Sequence, residues 1–365
     1  MKPIIHAYSK ADSVAGQGVG SAYLEQTALI QSELADEFQI VPRAQLFGSF
    51  GDINHFHSIN PEFFAGIPFA RRRGATVGHV HFIPETVEES ISLPRPARAV
   101  FYRYLLRFYR SMDHLVTVNP WFTAKLAEDY GFSPDRFTFI PNFVSDELFH
   151  PIGDSSHGSD RSAPGSEQIG EPQQLAALRE RLSLSADERV VMCAGQLQIR
   201  KGFFDFLATA RAMPDVRFLW AGDFSFGRIT AGHGEIKEAM SALPANVELV
   251  GLIPRQEMNL WFNLADAFFL PSFEELFPMT ILEAMAAHTP IVVRDLVYYE
   301  GVLNDYAERI TTPKGEVEPF VQALRRVIEP GAARDTALAA AQRGAEFYNR
   351  SSVARQWREF YRSVL

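Results

Sequence analysis

Short β-rich runs alternate with helix-length segments along this chain, and the whole pattern occurs twice. That repetition constrains the fold more than any other feature of the sequence. In the first half the candidate strands are 4–9, 38–43, 53–58, 75–81, 114–119 and 137–143; in the second they are 189–195, 216–222, 247–253, 267–272 and 291–295. Apolar strands spaced by crossover-length segments predict right-handed βαβ units and parallel sheets. Two such sets predict an α/β chain with two doubly wound, Rossmann-like domains. Ligands of such domains bind at the carboxyl ends of strands, so polar residues there carry the most weight.

Between the two sets, 153–172 is dominated by Ser, Gly, Asp and Glu and lacks apolar periodicity, which predicts an exposed, mobile linker. It separates a first domain, 1–150, from a second, 173–350, whose opening helix is expected near Gln173 with Leu175, Leu178 and Leu182 at helical spacing. In 351–365, Val353, Trp357, Phe360 and Tyr361 fall on one helical face, so this last helix is expected to pack back on the N-terminal domain.

Charge narrows the function. The 365 residues carry a net charge of −9, which leaves no global basic field for nucleic acid. Arginine is concentrated locally, however: 71–110 holds eight arginines against three glutamates, a patch suited to one defined anionic surface. The single cysteine, Cys193, excludes a disulfide framework and multi-cysteine metal sites, and its apolar neighbours mark it as a buried small hydrophobe. The N-terminus lacks the pattern of a secretion signal, and no uncharged run approaches a membrane span, so a cytoplasmic location is expected.

Three segments carry the chemistry. Pro271–Ala286 follows a strand end and opens a helix, with Pro278 suited to the first helical turn. The unpaired N–H groups of that turn (Phe277, Pro278, Met279 and Thr280 stand around it) offer a site for phosphate oxygens or a sugar. Glu275 precedes the helix and Glu283 lies within it; carboxylates so placed can accept bonds from sugar hydroxyls and a ribose diol. On an ordinary surface helix the same residues would be solvated glutamates. In the second segment, Gly195 to Gly202, Arg200 and Lys201 project from a strand-end loop, a fork and a point charge for a diphosphate. The third, Gly16-Gln-Gly18-Val-Gly20, precedes a helix expected near Ala22 and permits close backbone approach to an anion. Its spacing fits the dinucleotide fingerprint poorly, and the second strand ends in Val41-Pro42-Arg43 without a ribose-binding acid. Two His-x-His pairs, His55/His57 and His79/His81, end predicted strands. Neither pair has a third clustered ligand in sequence, so no metal is expected; His81 reads as a hydrogen-bonding residue at a strand end, and His55 and His79 as structural.

Taken together, the Glu-x7-Glu motif with its trailing Ala-Met-Ala, the glycine-rich N-terminal loop, the strand-ending His81 and Lys201-Gly202 resemble family 4 retaining glycosyltransferases of the GT-B fold over nearly the whole chain. The resemblance implies two Rossmann-like domains facing across a cleft, the first binding acceptor and the second the nucleotide of a UDP-sugar. It implies that Glu275 contacts the donor sugar, that Glu283 holds its ribose, and that Arg200 and Lys201 stabilise the departing diphosphate with N–H groups near Phe277 and Gly18. Gly20, Gly195, Gly222 and Ile253 complete the donor set, and His81 joins the catalytic one. More narrowly, His79-Val-His-Phe-Ile-Pro84, Val118-Asn-Pro120, Ile140-Pro-Asn-Phe-Val144 and Trp220-Ala-Gly222 resemble the diacylglycerol glycolipid-forming members from Gram-positive bacteria. Two departures stand out: Gly195-Gln196-Leu197 has Gln where the family often has Arg, and Arg294-Asp295-Leu296 replaces the usual Gly-Gly.

By this reading the chain moves glucose or galactose from UDP-glucose or UDP-galactose to a lipid or glycolipid acceptor, with retention of configuration. No Asp-x-Asp pair occurs, so the diphosphate is expected to be held by Arg200 and Lys201 without a metal, and no cofactor is expected. If 94–112 is helical, Arg103, Arg107 and Arg110 share a stripe opposite Phe101, Leu105, Phe108 and Met112. With Arg71, Arg72, Arg73, Arg95 and Arg98 they could form a surface for anionic lipid at the inner face of the membrane. Asn119 is grouped with the acceptor residues. A packed amphipathic helix with solvated charges is the plain alternative. Three rival functions share parts of this pattern: a glycosyltransferase with a soluble sugar or sugar-phosphate acceptor, a nicotinamide-dependent oxidoreductase, and a non-catalytic sugar-nucleotide binder.

Overall fold

The computed structural model describes residues 2–10, 18–45, 50–85, 95–153, 170–224, 232–275 and 279–365. The chain forms two compact units, one of Met1–Phe143, Glu300–Val302 and Tyr348–Leu365, the other of Val144–Tyr299 and Leu303–Phe347.

In the first unit, β1 (Ile4–Tyr8), β2 (Gln39–Val41), β3 (Ile53–Phe56), β4 (Ala75–Val80), β5 (His114–Thr117) and β6 (Phe137–Phe139) make one sheet in the order β2-β1-β3-β4-β5-β6. Every neighbouring pair is parallel. The connections carry α1 (Gly18–Glu33), α2 (Pro61–Arg73), α3 (Arg95–Arg110) and α4 (Pro120–Glu128). The C-terminal helix, Arg350–Ser363, belongs to this unit. Its Val353, Trp357, Phe360 and Tyr361 share a core with Leu29 and Ile30 of α1 and with Leu34 just after it, over Ile5, Ile53, Val77 and Val116 of the sheet. The Asn349 side chain starts this helix by accepting from the Ser352 N–H at 2.7 Å. Arg350, Arg358 and Arg362 pair with Glu33, Asp36 and Glu37 along its outer side. Exposed pairs of that kind contribute little, whereas each large apolar side chain buried beneath them is worth about 1.5–3 kcal/mol. Helix α1 begins at Gly18, not near Ala22, so Gly18 and Gly20 occupy its first turn and not a loop before it. A glycine costs least there, where backbone donors have no intrahelical partner.

In the second unit, β7 (Arg189–Ala194), β8 (Val216–Ala221), β9 (Val247–Gly251), β10 (Ala267–Leu270), β11 (Ile291–Arg294) and β12 (Glu308–Ile310) form a parallel sheet in the order β12-β11-β10-β7-β8-β9. Eleven of the twelve strands across both sheets are those expected from the alternating pattern; β12 is the exception. It is a three-residue edge strand, Glu-Arg-Ile, half-exposed throughout, and it has no apolar run to announce it. The accompanying helices are α5 (Glu171–Arg181), α6 (Phe203–Ala212), α7 (His233–Met240), α8 (Met258–Leu264), α9 (Met279–Ala286), α10 (Glu318–Ile328) and α11 (Ala332–Phe347). Helix α5 opens two residues before Gln173, with Pro172 in its first turn. Most of the expected linker, 154–169, lies outside the described residues. The central strand β7 is buried from Val190 to Ala194, and the Cys193 thiol, pushed up by burial, is a core group as expected. Between β7 and β10 the chain order reverses direction across the sheet, which in an open α/β sheet marks the crevice where ligands bind. Among the described residues no helix is long and apolar enough to cross a membrane.

Candidate active site

Two loops converge at that reversal point. One leaves β7 at Gly195, runs through a single 3-10 turn, Ile199–Lys201, and enters α6. The other leaves β10 at Pro271 and leads to α9. Their approach depends on two glycines. Gly202 sits at φ +75°, and a Cβ there would lie 2.2 Å from the Pro271 carbonyl oxygen. Gly222, at the end of β8, sits at φ +136°, and a Cβ would lie 2.0 Å from the Gly195 carbonyl oxygen. Only glycine permits both the conformation and the contact. A backbone bond from the Phe273 N–H to the Arg200 carbonyl, 2.8 Å, then ties the loops together.

This closure brings Lys201 to Glu275, Nζ to Oε1 at 2.5 Å, with side-chain exposures of 11% and 5%. The Ser272 hydroxyl donates to the same carboxylate oxygen at 2.7 Å. The Lys201 stem lies against Gly195. Arg200 donates to the Glu274 carbonyl at 3.5 Å. The arrangement is a mostly buried cation and anion at a strand-end crevice, each able to exchange its partner for a charged or hydroxylated ligand. Met279 and Thr280 form the first turn of α9; Phe277 and Pro278 lie outside the described residues.

Glu283, buried on α9, faces Arg255 at 3.5 Å from Nε to Oε1. Arg255 follows β9 and the half-buried Ile253, and its guanidinium lies 5.7 Å from the Phe149 ring centre. Sequence reasoning missed this arginine, although it too stands just beyond a strand end. Missed as well was Tyr299, fully buried, whose phenol is held well above its usual range by burial and by the Glu275 charge. Its hydroxyl has no hydrogen-bond partner among the described residues.

Arg294 is the last residue of β11. Its side chain is buried and donates to Asp205 (2.5 Å), the Pro271 carbonyl (3.3 Å) and the Thr312 carbonyl. Its guanidinium lies 4.2 Å from the Phe273 ring centre. Arg294 therefore braces the loop that presents Glu275.

The remaining predicted residues lie in the first unit. His55, His57, His79 and His81 stand at the ends of the adjacent strands β3 and β4, with rings 4.1–6.2 Å apart. The expectation of no metal rested on each pair lacking a third ligand, and parallel pairing of β3 with β4 supplies one: His55, His57 and His79 form a group whose ring nitrogens lie within 4.8 Å of one another. Burial lowers the pKa of His81 to about 4. Asn119 does not reach a surface. It is fully buried and caps α4, accepting from the Trp121 N–H at 2.9 Å, because Asn before Pro is a helix start.

Arg71 is held by Asp113 at 2.7 Å from Nε, and the other Asp113 oxygen accepts from the Thr76 N–H and hydroxyl. Arg110 donates to the Tyr130 carbonyl at 2.7 Å. Arg72, Arg73, Arg103 and Arg107 are exposed, while Leu105, Leu106, Phe108 and Tyr109 bury the opposite side of α3. Helices α2 and α3 lie side by side through Phe64, whose ring is 5.7 Å from Tyr104. Phe69 and Val100 on these helices are 58% and 67% exposed.

Residues 188–330 match the family described as "Glycosyl transferases group 1", and 51–148 match "Glycosyltransferase Family 4". The chain is 34% identical over 358 residues to alpha-galactosylglucosyldiacylglycerol synthase of Streptococcus pneumoniae, covering 98% of this chain and 88% of that protein. It is 26% identical over 305 residues to processive diacylglycerol alpha-glucosyltransferase of Acholeplasma laidlawii, covering 83% and 82%. Its fold is shared with Anabaena HepE, solved with UDP and glucose, at a TM-score of 0.69 and 16% identity over the full length of both chains.

Proposed function

Because this chain belongs to the family 4 glycosyltransferases, a group of the GT-B fold, we propose that it transfers a hexose from a UDP-sugar to a diacylglycerol-type lipid or glycolipid with retention of configuration. The observation that carries the reading is the buried Lys201–Glu275 pair at the β7/β10 reversal point. A sugar diphosphate can replace the contacts of both charges: phosphate oxygens for the lysine, hydroxyls for the carboxylate.

Negative charge develops on the leaving diphosphate as the anomeric C–O bond breaks. Lys201, Arg200 and the first-turn N–H groups of α9 supply preorganised positive charge there. Glu275, oriented by Ser272, positions the sugar. Glu283, held by Arg255, is placed for the ribose. The acceptor hydroxyl attacks the anomeric carbon on the face the diphosphate leaves, and its proton passes to a phosphate oxygen, so no dedicated base is required. The absence of an Asp-x-Asp pair favours cationic side chains over a metal at the diphosphate.

The lipid acceptor is supported by the names of the relatives over most of their lengths and by the exposed Phe69, Val100, Arg72, Arg73, Arg103 and Arg107 on α2 and α3. Aromatic and cationic residues together suit an anionic bilayer surface. The test is a panel of UDP-glucose and UDP-galactose against diacylglycerol, glucosyl-diacylglycerol and soluble sugar phosphates, with products identified by mass and linkage. Transfer to the soluble acceptors alone overturns the lipid assignment; no transfer from any UDP-sugar overturns the donor assignment.

A further inference from the structure

The proposed transfer chemistry uses the donor crevice of the second unit and gives no role to His55, His57 and His79, which stand with His81 at the ends of β3 and β4. Their exposures are 1% for His55, 2% for His57 and 5% each for His79 and His81. A neutral imidazole has one N–H and one lone pair, and each is costly when buried without a partner. Yet His55 Nε2, His57 Nδ1, both nitrogens of His79 and His81 Nε2 are buried with no hydrogen-bond partner among the described residues. A phenylalanine layer would fill the same space at no such cost. Each neutral ring keeps one lone pair, and one ring nitrogen from each of His55, His57 and His79 lies within 4.8 Å of the others, so the group can offer three lone pairs to a single occupant.

We propose that His55, His57 and His79 bind one transition-metal dication, with zinc the natural occupant and His81 beside the fourth position. Imidazole nitrogen is a preferred ligand for zinc, copper and nickel, and three His ligands leave a tetrahedral ion one further place. The ligand nitrogens lie within 4.8 Å of one another. Zinc at about 2.0–2.1 Å from each would draw them to about 3.3 Å apart, a closure by small ring rotations. The outer contacts suit it. His55 Nδ1 lies 3.0 Å from the Tyr361 hydroxyl, which in turn lies 3.2 Å from the Gln26 carboxamide. Coordination through His55 Nε2 places the proton on Nδ1, donated to Tyr361, and the Gln26 carboxamide turns to accept from the tyrosine; orientation of metal-bound histidines by such contacts is the rule. His79 also lines a small cavity with Glu25, Gln26, Trp357 and the 140–143 segment. Trp357 lies 5.5 Å from His55 and 5.9 Å from His79, so the ion would fasten β3 and β4 beneath the C-terminal helix. The role is structural, and no electron or group is transferred.

The untagged full chain, stripped with a chelator and dialysed, is titrated with zinc against a chromophoric competitor, and bound metal is counted by mass spectrometry. One zinc per chain is expected, with affinity lowered at least about 100-fold in His57→Asn and His79→Asn and unchanged in the control His150→Asn, which removes a partly exposed histidine elsewhere. The melting temperature should rise with zinc in the wild type and not in the two variants. Equal affinity in wild type and variants, or less than half a zinc per chain, overturns the proposal. If the variants do not fold, X-ray absorption at the zinc edge of the wild type decides: three imidazole nitrogens in the first shell support the site, and a shell of carboxylate and water oxygens overturns it.

Discussion

Asp205→Ala tests whether the Arg294 brace holds the donor loop. The two side chains are 3% and 6% exposed and bonded at 2.5 Å. Asp205 also accepts from the Gly315 N–H, at 3.2 Å. Removing the carboxylate leaves the guanidinium buried with only the carbonyls of Pro271 and Thr312 to satisfy it. Burial already lowers the Arg294 pKa and Asp205 opposes that shift, so the charge stays and its compensation goes. Breaking one partner of a buried pair costs about 3–5 kcal/mol. With a urea slope of about 2 kcal/mol per molar, the unfolding midpoint of the second unit should fall by roughly 1.5–2.5 M. The assay is urea titration followed by fluorescence of Trp220, fully buried 5.3 Å from Phe203 at the start of α6, in a background with the other three tryptophans replaced by phenylalanine. Replacing both charges, Asp205→Leu with Arg294→Met, should recover most of the loss, since an apolar pair of similar volume is often no less stable than a buried ion pair. A loss below about 1 kcal/mol in the single variant, or a double variant no better than the single, refutes the brace.

The donor site yields two further tests. Lys201→Ala should lower kcat about 100- to 1,000-fold at saturating donor, the equivalent of about 3–4 kcal/mol of transition-state stabilisation, and near-wild-type turnover would defeat its role. Arg255→Ala should raise the KM for UDP-sugar more than it lowers kcat, because it frees the Glu283 carboxylate without touching the anomeric centre; a pure kcat effect argues against it. On the first unit, burial raises the Asp113 pKa but hydrogen bonds from Arg71 and Thr76 outweigh it, so the carboxyl stays below its usual 3.8. A depressed carboxyl pKa stabilises the fold above that value and loses the contribution as pH falls through the folded pKa. Asp113→Asn should therefore weaken stability at neutral pH and flatten its decline below about pH 4; an acid limb identical to wild type refutes the assignment. Replacing Arg72, Arg73, Arg103 and Arg107 with alanine should abolish flotation on vesicles containing anionic lipid and leave circular dichroism unchanged, whereas undiminished flotation removes the patch from the membrane.

How much of this was legible in the sequence follows from the physical range of each signal. Buried parallel strands announce themselves by continuous apolar runs, which is why the central strands could be placed and the three-residue, charged β12 could not. Lys201 and Glu275 could be brought together because each follows a strand end, and strands on either side of a reversal point deliver their loops to one crevice. The same rule applied to 247–253 would have found Arg255, which stands two residues beyond that expected strand. Asn119, grouped with the acceptor residues, caps a helix in the structure, a role that Asn before Pro already implies. Arg294 was beyond reach in a different way. A missing glycine motif says what a loop lacks, while the bonds from Arg294 to Asp205, 89 positions earlier, and to Pro271 exist only once β10 and β11 are side by side. The histidines lie between these cases. Each pair alone falls short of a ligand set, and the third ligand comes from strand order, which the chain order of 53–58 and 75–81 already suggested. Sites built within one strand-end loop can thus be read from local sequence, whereas sites built across neighbouring strands require the sheet order first. Searching for metal or catalytic clusters therefore gains most from combining half-motifs on consecutive predicted parallel strands before judging either half alone.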